Sequence, residues 1–383
     1  MAPSATTSLS VPPSNSQSKT NPAYDPPNDI KLLSSGGPIN PNSIGRLRPT
    51  DLSTPLEEIR KRYAEDGYVW LKGLLPAADV WKARQDYFEF LHPTGLLREG
   101  TDPKDGIYCG GDWRLVCSQL LNYLPIYSLS TTGTIFVFRK GSCLLLFYKW
   151  MSPGKLREAF GLAGENVEYE NRVVEAHSAP WYTTFTNHPV LKSYIETFTG
   201  WDDATLLQRS LFRPNVPGGE TTQVHYDQIF LRGGPPTALT AWIPLGNCSI
   251  NGGGLLYLED SVSLGQALEK GFAEAGRELT QEERISAFNA NMMHGGFLEK
   301  DSGRFSKAWG RKWLAADYEA GDVVLHNAFN IHSSAVNETD VIRLATDLRF
   351  VETGKPFDRR WMKTWEVSEL LLLDIMRGTK STL

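Results

Sequence analysis

Apolar side chains return every three or four positions between Pro76 and about Leu91, at Val80, Ala83, Tyr87, Phe88 and Leu91. That is the period of a helix with one buried face. Upstream, a charged helical stretch over 57–64 passes through Asp66-Gly67 into an alternating strand at 68–71. Another helical piece covers 189–198, and beyond it the repeat shortens to two. Short β-rich runs at 206–214, 223–232, 239–245 and 255–258 are punctuated by Pro217-Gly218-Gly219, Gly233-Gly234-Pro235-Pro236 and Asn251-Gly252-Gly253-Gly254. A helical insertion at 264–289 and a long loop follow, then two further strands at 322–332 and 341–350. Many short strands at this spacing, with helices toward one end, predict a mainly β fold of the jelly-roll kind, a sandwich or barrel.

Residues 1–50 are rich in Ser, Pro, Asn and Thr and have few clustered aliphatics, so the pattern predicts a disordered arm, with order beginning near Pro55-Leu56. The remaining 51–383 reads as one domain with an atypical insert at 113–157. No acidic residue occurs between Asp112 and Glu158, and apolar clusters alternate there with Ser, Thr and Gly. The turn-like Arg139-Lys140-Gly141-Ser142 between two such clusters predicts a hairpin or a substrate lid; the competing reading is a segment foreign to the rest of the domain.

Charge narrows the function classes. There are 39 Lys+Arg against 44 Asp+Glu, a formal charge of −5, so no basic surface exists of the kind that dominates nucleic-acid affinity. The four cysteines, Cys109, Cys117, Cys143 and Cys248, lack paired metal-site spacing and read as reduced and intracellular. No apolar run reaches the roughly 18 residues of a membrane span. The expected location is cytoplasmic; the C-terminal Ser381-Thr382-Leu383 echoes a peroxisomal address only distantly, because its middle residue is not basic.

The chemistry concentrates in the β-rich half. His225-Tyr226-Asp227 puts an imidazole and a carboxylate two residues apart, and on a strand both project from one face. His332, at the end of another β-rich run, is the best third ligand. Two histidines and one carboxylate form the facial triad that leaves positions open on a non-heme Fe(II) centre. Arg343 follows eleven residues later on a strand whose Ile342, Leu344, Leu348 and Phe350 share one face, while Arg343, Ala345 and Asp347 share the other. A guanidinium held inside such a wall needs an anion, either the distal carboxylate of 2-oxoglutarate or its neighbour Asp347. His326 has the parity of His332, but on a straight strand it would lie about 20 Å away and could not share the metal. His294 is a lid residue at most, and His92, His177 and His188 read as structural or exposed.

These residues carry a family resemblance. Gly321-Asp322-Val323-Val324-Leu325, His332-Ser333-Ser334, Asn337 and Arg343 resemble the distal half of the phytanoyl-CoA dioxygenase family. Asp66-Gly67-Tyr68-Val69 with Leu74-Leu75 is similar to its opening, and Ala241-Trp242 with Asn251-Gly252-Gly253 to its middle. The resemblance implies a double-stranded β-helix, Fe(II), 2-oxoglutarate and O2, with His225, Asp227 and His332 as metal ligands and Arg343 holding the cosubstrate. It further implies cosubstrate contacts from Gln223, Trp242 and Ser334, against which stand a core aromatic, a turn cap and a backbone-satisfying amide. Glu259-Asp260-Ser261 replaces the usual Pro-Gly-Ser-His, a departure in the substrate loop.

The activity so implied is oxidation, by default hydroxylation, of an unactivated C–H bond with release of succinate and CO2. The aromatic content, 11 Trp, 17 Phe and 14 Tyr, allows an apolar pocket, and no Lys/Arg cluster for an acyl-CoA is evident. A small hydrophobic molecule, as in secondary metabolism, is therefore the expected substrate and acyl-CoA 2-hydroxylation the alternative. Two readings from other classes are a zinc hydrolase or lyase built on the same three ligands, and a non-catalytic β-sandwich binding module.

Overall fold

The computed structural model describes residues 30–110, 134–139, 142–147, 167–219, 221–285 and 297–365. Strands begin well before Pro55. In chain order they are β1 (Leu32–Ser34), β2 (Gly37–Ile39), β3 (Ile44–Arg46), β4 (Pro49–Thr50), β5 (Tyr68–Leu71), β6 (Thr134–Arg139), β7 (Ser142–Phe147), β8 (Ala204–Leu206), β9 (Leu211–Asn215), β10 (Leu239–Pro244), β11 (Leu255–Leu258), β12 (Trp313–Ala315), β13 (Val323–Asn327), β14 (His332–Ser334) and β15 (Arg343–Glu352). The last twenty residues of the expected disordered arm are thus structured. Four of their five aliphatics, Leu32, Ile39, Ile44 and Leu47, are nearly fully buried, so position rather than number decides. Residues 1–29 lie outside the described residues.

Two sheets face each other. The larger has the order β4-β5-β13-β10-β15-β8, with β9 also pairing β15, and the smaller has β14-β11-β12-β3. Most pairings are antiparallel; β4 with β5 and β12 with β3 are parallel. Alternation along each strand sorts side chains into layers. Val69 and Leu71, Ala241 and Ile243, Val323 and Leu325, and Leu344, Leu348 and Phe350 face outward onto helices. Tyr68, Trp70, Trp242, Val324 and Ala345 face inward and meet Leu255 and Tyr257 of the smaller sheet. The smaller sheet's outer face, with Ile44, Leu256, Leu258, Trp313 and Ala315, packs on Ile39 and Phe305. This is the jelly-roll architecture expected from the strand spacing.

Helices α1 (Leu56–Asp66), α2 (Ala77–Leu91), α3 (Val167–Ala176), α4 (Pro180–Thr186) and α5 (Pro189–Thr199) cover the larger sheet or its edge, while α6 (Ser261–Ala275), α7 (Gln281–Ile285) and α8 (Ser302–Trp309) lie between β11 and β12 in sequence. All five apolar positions that predicted α2 are buried. Helix α1 ends where Gly67 takes a left-handed φ of 75° and its N–H closes onto Tyr63 O. Within the atypical segment, β6 and β7 pair antiparallel from Thr134↔Phe147 to Arg139↔Ser142; the rest of 113–157, the expected turn residues Lys140-Gly141 included, lies outside the described residues, as does His294. No helix among the described residues is long and apolar enough to cross a membrane.

Two strand expectations fail in an informative way. The run 223–232 is a strand only through Val224 and His225; Asp227 opens a 3-10 turn, Asp227–Ile229. The run 322–332 breaks after Asn327, whose carbonyl accepts from Asn330 N–H at 2.9 Å, and restarts at His332. The break carries the chain from the larger sheet to the smaller one.

Candidate metal centre and cosubstrate pocket

His225, Asp227 and His332 come together, each offering one ligand atom within 4.8 Å of the others, and all three are buried. The bridge between His225 and His332 brings the imidazoles to a ring separation of 4.2 Å. His225 Nδ1 donates to Gln223 O at 2.7 Å and His332 Nδ1 donates to Asn330 O at 3.0 Å. Carbonyls only accept, so both Nδ1 atoms carry the proton and both Nε2 lone pairs remain for a metal. Each Nε2 lies 4.0 Å from Asp227 Oδ1.

Electrostatics prepares the same state. Burial, reinforced by the proximity of His332, holds His225 well below the usual imidazole range, and burial with His326 brings His332 down to about 4. Both imidazoles are neutral at neutral pH, as ligation requires. For Asp227, burial opposes ionisation, but the charge of Arg349 and the hydrogen bond from His326 outweigh it and hold the carboxyl well below its ordinary value. Neutral nitrogens and one ionised oxygen are a donor set that fits Fe(II).

One cavity opens onto His225 and His332 and onto Arg343, Asp347 and Arg349 of β15; Leu211, Arg213, Thr222, Trp242, Leu255 and Ala345 complete it. Arg343 is 7% exposed. It donates Nε to Gly253 O at 2.9 Å, and with the Asn215 amide turned so that its nitrogen faces Val216 O, Nη2 donates to the amide oxygen at 3.1 Å. Asn337 ties this corner together, donating to Asn215 O and Val341 O. Asp347, half-buried in the cavity wall, has its pKa raised by burial, against the opposing charges of Arg349 and Arg213.

The other sequence-marked residues fall in different places. Trp242 lines the cavity and also packs edge-on against Tyr318 at 4.6 Å, so the cosubstrate and core readings coexist. Ser334 is buried and its Oγ accepts from Thr222 N–H at 2.8 Å. Gln223 is buried outside the cavity lining; its carbonyl orients His225, and its amide oxygen has no hydrogen-bond partner among the described residues. Gly321-Asp322 is a staple remote from this chemistry: Asp322 accepts from Trp70 Nε1, Lys72 Nζ and Gly73 N–H.

His326 requires a correction. Because the chain turns between β13 and β14, its ring lies 4.8 Å from that of His332 and its Nε2 3.3 Å from Asp227 Oδ2. Thr240 and Arg349 also reach Asp227 and were likewise not singled out by sequence reasoning. For Arg349 a signal existed: it continues the parity of Arg343, Ala345 and Asp347.

The sequence profile of the phytanoyl-CoA dioxygenase (PhyH) family matches residues 63–345. The chain belongs to that family. It is a non-heme Fe(II)- and 2-oxoglutarate-dependent oxygenase, with O2 as the second cosubstrate. No curated protein matches. Among solved structures, the chain is similar to SnoK, a non-heme α-ketoglutarate-dependent carbocyclase from nogalamycin biosynthesis (17% identity, 80% of this chain and 87% of that one, TM-score 0.43). It is also similar to SnoN, an epimerase from nogalamycin biosynthesis (17%, 78% and 83%, 0.40), and to AviO1 from Streptomyces viridochromogenes Tue57 (13%, 79% and 98%, 0.41).

Proposed function

We propose that this PhyH-family oxygenase hydroxylates, or otherwise oxidises, an unactivated C–H bond of a small hydrophobic molecule in the cytoplasm, with release of succinate and CO2. The observation that carries the reading is that His225, His332 and Arg343 line one cavity. His225 and His332 through Nε2, and Asp227 through a carboxylate oxygen, would hold the metal. Arg343, fixed by Gly253 and Asn215, would take the distal carboxylate of 2-oxoglutarate. With iron, the keto acid and O2 bound, the centre would supply the oxidising power for breaking the C–H bond, O2 being the oxidant and the keto acid leaving as succinate and CO2. The chain's own part is orientation and exclusion of water: the two histidine tautomers are locked by main-chain carbonyls, and Trp242 and Leu255 close the wall with apolar surface. That surface, with Leu211 and Ala345, supports a hydrophobic substrate. A zinc hydrolase would leave Arg343 without an anion to bind.

The test is an anaerobic titration of the apoprotein with Fe(II) and then 2-oxoglutarate, followed through the visible metal-to-ligand charge-transfer band. The band should form in the wild type and not in His225→Ala. Its absence from folded, iron-supplied wild type would overturn the reading. Succinate release stimulated by acyl-CoAs and not by small hydrophobic molecules would overturn the substrate class.

A further inference from the structure

Asp227 is surrounded unequally. Its Oδ2 accepts from Thr240 Oγ1 at 2.5 Å, from His326 Nε2 at 3.3 Å and from Arg349 Nε at 3.3 Å. Among the described residues, its Oδ1 accepts only from Arg349 Nη2, at 2.8 Å, and it is the oxygen equidistant from the two histidines. An ionised carboxylate oxygen is only an acceptor, so His326 Nε2 must carry its proton. A neutral His326 then leaves Nδ1 as acceptor for the Tyr257 hydroxyl, 3.1 Å away. Arg349 is equally constrained, being 2% exposed with its guanidinium over the Trp361 ring at 4.7 Å. Trp361 in turn donates its indole N–H to Phe230 O at 3.2 Å.

We infer that Arg349, with Thr240 and His326, is a positioning residue that fixes Asp227 as a one-oxygen ligand through Oδ1. Three donors saturate Oδ2 and leave it little electron density for a metal. The consequence is specific to this chemistry. With two histidine nitrogens and one carboxylate oxygen on a bound metal, positions would stay open for the keto acid and O2. A carboxylate binding through both oxygens would remove one of those positions. The inference rests on the metal-centre reading above.

Co(II) titration of the apoprotein, read by affinity and by visible spectrum, tests it without turnover. Outer partners of metal ligands are typically worth about 10- to 100-fold in metal affinity, and Arg349→Gln should lose that much and alter the Co(II) spectrum. Arg349→Lys keeps the charge but not the fork and should restore affinity in part, without restoring the spectrum. Arg349→Gln strands a buried carboxylate, so Thr240→Val, close in volume, is the second variant and should shift the same spectrum with melting behaviour retained. Wild-type affinity and spectrum in folded Thr240→Val and Arg349→Gln would overturn the inference, as would tighter binding, which would make Arg349 a competitor for the carboxylate. A wild type that takes up no Co(II) would overturn the metal-centre reading itself.

Discussion

His225 and His332 exchange both main-chain hydrogen bonds, His225 N–H to His332 O at 3.0 Å and His332 N–H to His225 O at 2.9 Å. A pair directly opposed in this way projects its side chains from the same face. The two imidazoles are therefore placed by backbone pairing between segments 107 residues apart, and side-chain contacts only finish the alignment.

Removing a ligand should separate metal binding from folding. His225→Ala or His332→Ala should lower Fe(II) stoichiometry from one per chain to near zero and abolish the charge-transfer band. The near-ultraviolet circular dichroism should persist, since the bridge is main-chain. Stoichiometric iron in either variant, measured after desalting, would contradict the assignment.

Arg343→Ala should act on the cosubstrate alone. Charge-assisted hydrogen bonds contribute about 1.5–3 kcal/mol, so 2-oxoglutarate should bind roughly 10- to 100-fold more weakly while Fe(II) affinity is unchanged. A titration of the iron-loaded variant with the keto acid reads this directly. Unchanged affinity would leave Arg343 a purely structural residue.

Gly253→Ala tests how that arginine is held. Gly253 has φ +80°, and an added Cβ would lie 2.9 Å from the Asn215 side-chain amide and 3.0 Å from Asn337 Cβ. Positive φ and crowding together should destabilise the fold by about 1–3 kcal/mol. The carbonyl that receives Arg343 Nε should shift as well, so 2-oxoglutarate affinity should fall with the melting temperature. Loss of stability with cosubstrate affinity intact would uncouple the loop from the pocket.

Acid should destabilise the apoprotein through its buried neutral histidines, against the opposing effect of Asp66, whose pKa burial raises to about 6. His177 Nε2 accepts from Phe212 N–H at 3.1 Å, which requires a neutral ring, and burial brings its pKa down to about 4, as it does for His332. Unfolded histidines titrate near 6.5. Depressed folded values mean that the unfolded chain binds more protons, so stability present above 6.5 should be lost as pH falls from 6.5 toward 4. Urea midpoints across that range should decline, and His177→Gln should decline less steeply. A flat profile would contradict the burial argument.

The sequence by itself determined the layers and marked the candidate site residues. Period-two alternation on β10, β13 and β15 sorted Ala241, Leu325 and Leu348 from Trp242, His326 and Arg343, because a pleated strand forces neighbours to opposite faces. The chemistry of two imidazoles, a carboxylate and a guanidinium, read with the family resemblance, pointed to the metal and the cosubstrate. Linear reasoning failed where the chain bends. Asp227 sits on a 3-10 turn rather than a strand, and His326 and His332 belong to different sheets because the chain turns at Asn327. Only the tertiary structure brought His326, Thr240 and Arg349 onto one carboxylate. Their sequence separations of 99, 13 and 122 residues from Asp227 carry no periodic signal; they meet because the register of the larger sheet sets Thr240 opposite both His326 and Arg349. Periodicity reports which face a side chain takes, and packing decides what that face meets.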